Sequence, residues 1–131
     1  VTGNPRAFRV LVRNALFRRV ELAALRRYDL LGELDGPPPG GSGVAGSTFD
    51  AERWQAALAG YYAEHDRIGT GPDARGPAML LLTQDGPVWT ARQIFDDPAG
   101  DHDWGISAEI DLAASDEAGV AAVRITAVDR L

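Results

Sequence analysis

Trp104-Gly105-Ile106-Ser107-Ala108-Glu109-Ile110-Asp111-Leu112 is the stretch on which the fold turns. Trp104, Ile106, Ala108, Ile110 and Leu112 alternate with Gly105, Ser107, Glu109 and Asp111. A period of two belongs to a strand with one buried face and one wet face. The pattern predicts a strand over 104–112 that turns Trp104 and Ile106 toward a core. The residues just before it, Asp96-Asp97-Pro98-Ala99-Gly100-Asp101-His102-Asp103, read as an acidic loop carrying one imidazole.

On the C-terminal side, Ser115-Asp116-Glu117-Ala118-Gly119 reads as a hairpin loop. A last strand over 120–128 follows, with Val123, Ile125 and Ala127 opposite Arg124 and Thr126. On the N-terminal side, Val88 to Phe95 sets Trp89, Ala91 and Gln93 against Thr90, Arg92 and Ile94, a pattern that leaves its buried side open. Gln84-Asp85-Gly86-Pro87 is a tight reversal, and Ala78 to Thr83 is an apolar strand. Gly69-Thr70-Gly71-Pro72-Asp73-Ala74-Arg75-Gly76 is a turn-rich connector. It has no Lys-Ser/Thr pair and precedes a strand, so it is neither a Walker loop nor a dinucleotide fingerprint.

The first third is helical. Asn4-Pro5 is a start signal. Phe8, Leu11, Val12, Ala15 and Leu16 form one apolar stripe, and Val20, Ala23, Ala24, Leu25, Tyr28 and Leu31 form a second. This predicts one bent helix or two helices broken near Arg18-Arg19, with Gly32 able to end the run. A Pro/Gly linker occupies 36–47. Thr48 or Asp50 can then cap a helix carrying Trp54, Leu58, Tyr61 and Tyr62 and ending near His65-Asp66.

Helices followed by consecutive, closely connected strands predict an α+β domain. The N-terminal helices would pack on a curved antiparallel sheet of about four strands, burying Trp104 and Ile106 against Phe8, Leu16 and Trp54. This order of elements is that of the cystatin-like, nuclear transport factor-like cone, an analogy of topology.

At 131 residues and 45% hydrophobic content, the chain predicts a single domain, 1–131, with a core of its own. Cysteine is absent, which excludes disulfides and thiol chemistry and fits a reducing, cytoplasmic setting. No apolar run approaches membrane-spanning length, and no signal-peptide pattern opens the chain. The first residue is Val, which predicts a processed protein or an excised domain. Net charge is −6, against a dominant nucleic-acid-binding surface. All 13 basic residues are Arg, and seven of them precede residue 34.

Four groups of residues carry candidate chemistry. Asp96, Asp97, Asp101 and Asp103, the last three foremost, could supply oxygen ligands to a hard cation such as Mg²⁺ or Ca²⁺, or simply cap turns in a solvated loop; Arg92 is a candidate partner for one of these carboxyls. His65-Asp66 and His102-Asp103 are candidates for a His–Asp general base; adjacent side chains point apart, so a cross-pairing such as His65 with Asp103 is the form to look for. The bland alternative puts His65 at a helix C-terminus and His102 in a loop. Trp54, Tyr61, Tyr62, Trp89 and Trp104 read as core before they read as a pocket. Arg6, Arg9 and Arg13 share a helix face without an intervening acid, suited to phosphate or to an acidic docking surface, within the protein or between domains.

Three long segments carry a resemblance. They are Asn4-Pro5-Arg6-Ala7-Phe8-Arg9-Val10-Leu11-Val12-Arg13 and its continuation to Asp29, His65-Asp66-Arg67-Ile68-Gly69-Thr70-Gly71-Pro72 continuing to Pro77, and Asp97-Pro98-Ala99-Gly100-Asp101-His102-Asp103-Trp104 continuing to Glu109. Together they resemble the uncharacterised C-terminal domain of actinobacterial DEAD/DEAH-box (superfamily 2) helicases. The resemblance implies an accessory C-terminal domain without catalytic activity of its own, attached to upstream motor domains that use ATP and Mg²⁺. It makes those motor domains the expected partners, with single-stranded RNA or DNA as a further one. Two alternatives stand beside it: a cone-shaped enzyme or small-ligand binder using His65, Asp66, His102 or Asp103, and a homodimer formed through the open sheet face.

Overall fold

The computed structural model describes residues 2–34, 49–84 and 86–130. Asn4 opens the first helix: its side-chain oxygen accepts the Ala7 amide at 3.2 Å, and Pro5 fills the first helical position. Helix α1 (Pro5–Ala24) runs unbroken through Arg18-Arg19. The break expected there falls later, at Leu25-Arg26-Arg27, where Arg26 takes a left-handed φ of 57°. The Arg27 amide bonds the Leu22 carbonyl and the Arg26 amide bonds the Ala23 carbonyl, the paired closure of a Schellman motif. A side chain in this conformation costs about 1–2 kcal/mol. The Arg26 guanidinium offsets it by lying 4.0 Å over the Tyr62 ring.

Gly32 does not end a helix. It lies inside α2 (Tyr28–Leu34). Its role is close approach: a Cβ there would stand 2.6 Å from the Ala51 amide nitrogen of the next helix. That helix, α3 (Ala51–Glu64), is capped by Asp50, which accepts the Arg53 amide at 2.8 Å. The linker expected over 36–47 and the alternative cap Thr48 lie outside the described residues.

Two short 3-10 turns, Pro72–Arg75 and Pro77–Met79, lead into the sheet, so the first strand begins two residues later than its apolar run suggested. Strands β1 (Leu80–Thr83), β2 (Val88–Ile94), β3 (Trp104–Asp111) and β4 (Val123–Arg130) form an antiparallel sheet in sequential order. The expected hairpin loop at 115–119 is instead a helix, α4 (Leu112–Ala118). Asp111 ends β3 by capping it, accepting the Ala114 amide at 3.0 Å, and Gly119 closes it at φ 75°.

Pairing settles the faces. Trp89, Ala91 and Gln93 oppose Ile110, Ala108 and Ile106, so they share the inner side with Trp104. On β4 the expected alternation holds for Val123, Arg124 and Ile125 and then slips. Ile125 pairs with Ala108 and Ala127 with Ser107, leaving Thr126 as an extra residue. The bulge turns Ala127 outward and seats Val128 opposite Ile106.

Phe8, Leu16, Trp54, Trp104 and Ile106 meet in one core, as the alternation predicted. Phe8 meets Trp89 edge-on at 5.1 Å, and Tyr61 meets Phe95 and Trp104 at 5.3 and 5.8 Å. Trp54, Tyr61, Trp89 and Trp104 are all buried, which makes them packing rather than pocket lining. Among the described residues no helix is long and apolar enough to cross a membrane.

Candidate functional site

The loop between β2 and β3 is folded around one carboxylate. Asp97-Pro98-Ala99-Gly100 has the residue order of a type I turn, and the Gly100 amide bonds the Asp97 carbonyl at 3.0 Å. The Asp97 side chain then reaches forward, taking the Asp101 amide on one oxygen at 2.9 Å and the His102 amide on the other at 2.8 Å. It is only 4% exposed. Burial pushes its pKa up, but the Asp101 and His102 amides and the nearby His65 ring outweigh that and hold it below the ordinary carboxylate value. The neighbouring Asp96 carbonyl accepts the Gly69 amide at 2.8 Å, which pins the connector leaving α3 to this loop. A Cβ at Gly69 would meet Asp96 Oδ2 at 2.8 Å.

That pinning brings His65 in. His65 ends α3, its amide bonded to the Tyr61 carbonyl at 2.9 Å and its ring tilted against the Tyr61 ring at 5.0 Å. Burial foremost, and then the Asp97 charge, push the Tyr61 phenol up, so it stays protonated and donates to the Arg67 carbonyl. One ligand atom each from His65, Asp97 and Asp103 lie within 4.8 Å of one another. Asp103 Oδ1 is buried and has no hydrogen-bond partner among the described residues. The expected approach of His65 to Asp103 is thus present, with Asp97 as a third member.

The other candidates fall elsewhere. Asp101 and His102 give backbone amides to Asp97 while both residues stay exposed. The His102 ring instead stands 3.1 Å from Asp96 Oδ1. Asp66 is exposed, and its carbonyl accepts from Arg26. Arg92 does not serve the acidic loop.

On α1, Arg6 and Arg9 are exposed and Arg13 is half-buried. With Val10, which is 43% exposed, they line a shallow pocket of about 140 Å³. None of the three forms an ion pair among the described residues. A docking role inside this chain therefore finds no carboxylate among the described residues. One turn further along the same face, Arg75 stacks 4.6 Å over Phe17 and reaches Asn14 Oδ1 at 3.3 Å.

Over residues 1–128 the sequence matches the family described as a domain of unknown function, DUF3516. The chain belongs to the DUF3516 family. No curated protein and no solved structure matches it.

The outer sheet face of this DUF3516 domain holds a residue whose role the sequence hid. Arg92 is 8% exposed although it points away from the helices. One of its nitrogens donates to Asp129 Oδ1 at 2.7 Å and Ser107 Oγ at 2.9 Å, and another to the Asp129 carbonyl at 2.7 Å. Gly105 makes room, since a Cβ there would stand 3.0 Å from Arg92 Nε. Arg92 thereby ties three strands together beneath a groove of about 520 Å³ that also has Thr90, Glu109 and Thr126 in its walls. The sequence signal was a glycine in a strand, a mark of close approach.

Proposed function

We propose that this DUF3516 domain is an accessory module of an ATP-dependent nucleic-acid helicase. In this reading it has no chemistry of its own in the helicase cycle, and it engages an acidic surface of the motor, or the nucleic-acid backbone, through Arg6, Arg9 and Arg13. The helicase context rests on the resemblance of the three long segments to C-terminal domains of DEAD/DEAH-box helicases. The observation that carries the contact surface is the α1 face itself: three guanidinium groups around exposed Val10, in a chain of net charge −6, with no ion pair among the described residues. Arg suits this work because its planar fork matches carboxylate and phosphate alike.

ATPase and unwinding are to be compared in the parent helicase with and without the domain, and with Arg6, Arg9 and Arg13 all changed to Glu. The expected result is lost coupling in both altered forms. Unchanged ATPase and unwinding in both would sink the accessory reading. Fluorescence anisotropy with single-stranded RNA separates the two surfaces. If the backbone is the target, the triple variant lowers the slope of log affinity against log salt by about 2, following roughly 0.7 per phosphate contact for single strands. Undetectable RNA binding at low salt leaves the motor surface as the target.

A further inference from the structure

We infer that His65, Asp97 and Asp103 bind a divalent transition-metal ion of the Zn²⁺ class through one imidazole nitrogen and two carboxylate oxygens. This site is separate from the arginine face and does not depend on the helicase reading.

The three ligand atoms lie within 4.8 Å of one another and come from two distant parts of the chain. No hydrogen bond joins any two of the three side chains. The geometry is therefore not that of a closed ionic network. Small side-chain rotations bring the three atoms onto an ion whose bonds are about 2.0–2.2 Å long. Asp103 Oδ1 is the second observation. A carboxylate oxygen shut away from water without a donor is costly to fold, and a cation removes that cost.

The supporting groups are those a metal site needs. Asp97 is oriented by two backbone amides, and His65 by the Tyr61 ring and the helix end. The donor set also selects the ion. Mg²⁺ and Ca²⁺ favour oxygen throughout, and the chain has no thiolate for softer ions. One imidazole with two carboxylates suits Zn²⁺ and its neighbours Mn²⁺, Fe²⁺ and Co²⁺. Three protein ligands leave a coordination position for water or another ligand.

The test uses chelator-stripped protein. Titration with Zn²⁺ followed by calorimetry should show one ion per chain, and Tm should rise with Zn²⁺ concentration, as binding to the folded state alone requires. Co²⁺ should give visible d–d absorption that Zn²⁺ displaces. His65→Ala and Asp103→Asn should each weaken Zn²⁺ binding by more than the roughly 10–100-fold that loss of an outer-shell partner costs, whereas His102→Ala should leave it unchanged. Metal-free Asp103→Asn should be at least as stable as the metal-free parent, because a neutral amide is cheaper to bury without a partner than a carboxylate. That readout keeps ligand loss distinct from misfolding. No Tm shift at millimolar Zn²⁺, equal binding by His65→Ala, or loss of binding in His102→Ala would each overturn the assignment.

Discussion

Asp97 shows how much one side chain can organise. Its carboxylate closes the loop between β2 and β3 from within by taking two amides, and its pKa is lowered in the folded state. A lowered folded-state value means its contribution to stability is present above the ordinary carboxylate pKa of 3.8 and is lost as pH falls through the folded-state value. In chelator-stripped protein, Asp97→Asn should therefore lower stability in urea unfolding by about 2 kcal/mol at neutral pH, the scale of hydrogen bonds to a charged group. The deficit should shrink in acid below that value. A constant deficit from neutral pH into strong acid would show that charge is not what the amides recognise. The turn around Asp97 was legible, because Asp-x-x-Gly with Pro second is a local signal. The meeting of His65 with Asp97 and Asp103 was legible only as a cross-pairing, because it depends on the Gly69–Asp96 bridge, a contact between distant segments.

At the scale of elements, sequence served best where a single period governs. Trp104 to Ile110 reads as a strand because every second residue enters the core, and the structure keeps that alternation. It served less well where two elements share a boundary. Asp111 to Gly119 carries the marks of a helix, with an acidic cap, alanines and a glycine stop, yet lies where a hairpin between strands was expected. Ser115 completes the corner by donating to the Asp111 carbonyl and accepting the Ala122 amide. Gly32 was misread for a related reason: a glycine that stops a helix and one that lets another helix approach look alike in one dimension. Gly32→Ala should destabilise the domain by about 1–3 kcal/mol, the usual cost of overpacking, although alanine is the better helix former. A stability gain on chemical denaturation would show that the α2–α3 approach relaxes freely.

Across the whole molecule, charge and topology divide the labour. The helices cover one side of the sheet, the acidic loop and His65 gather beyond one end of α3, and Arg6 and Arg9 face outward from α1 with Arg13 half-buried beside them. Replacing Arg6, Arg9 and Arg13 with Glu takes the net charge from −6 to −12. Because Arg6 and Arg9 are exposed and have no ion-pair partner among the described residues, the Tm of an Arg6→Glu, Arg9→Glu double variant should stay close to that of the parent. A large drop would place these guanidiniums inside the fold rather than at a contact surface. The overall class was readable because helices came first and strands afterwards with short links. The outer-face lacing by Arg92 was not, since its partner Asp129 lies two strands away.

The supernumerary Thr126 has a consequence for how these molecules behave in a crowd. Among the described residues β4 is an outer strand of the sheet, a row of backbone groups that another chain could extend. Kinked by the bulge and carrying Arg124, Asp129 and Arg130 along its length, it makes a poor template for recruitment. Deleting Thr126 would straighten it, and the shortened protein should show amyloid-dye fluorescence and rising turbidity on gentle heating under conditions where the parent stays clear.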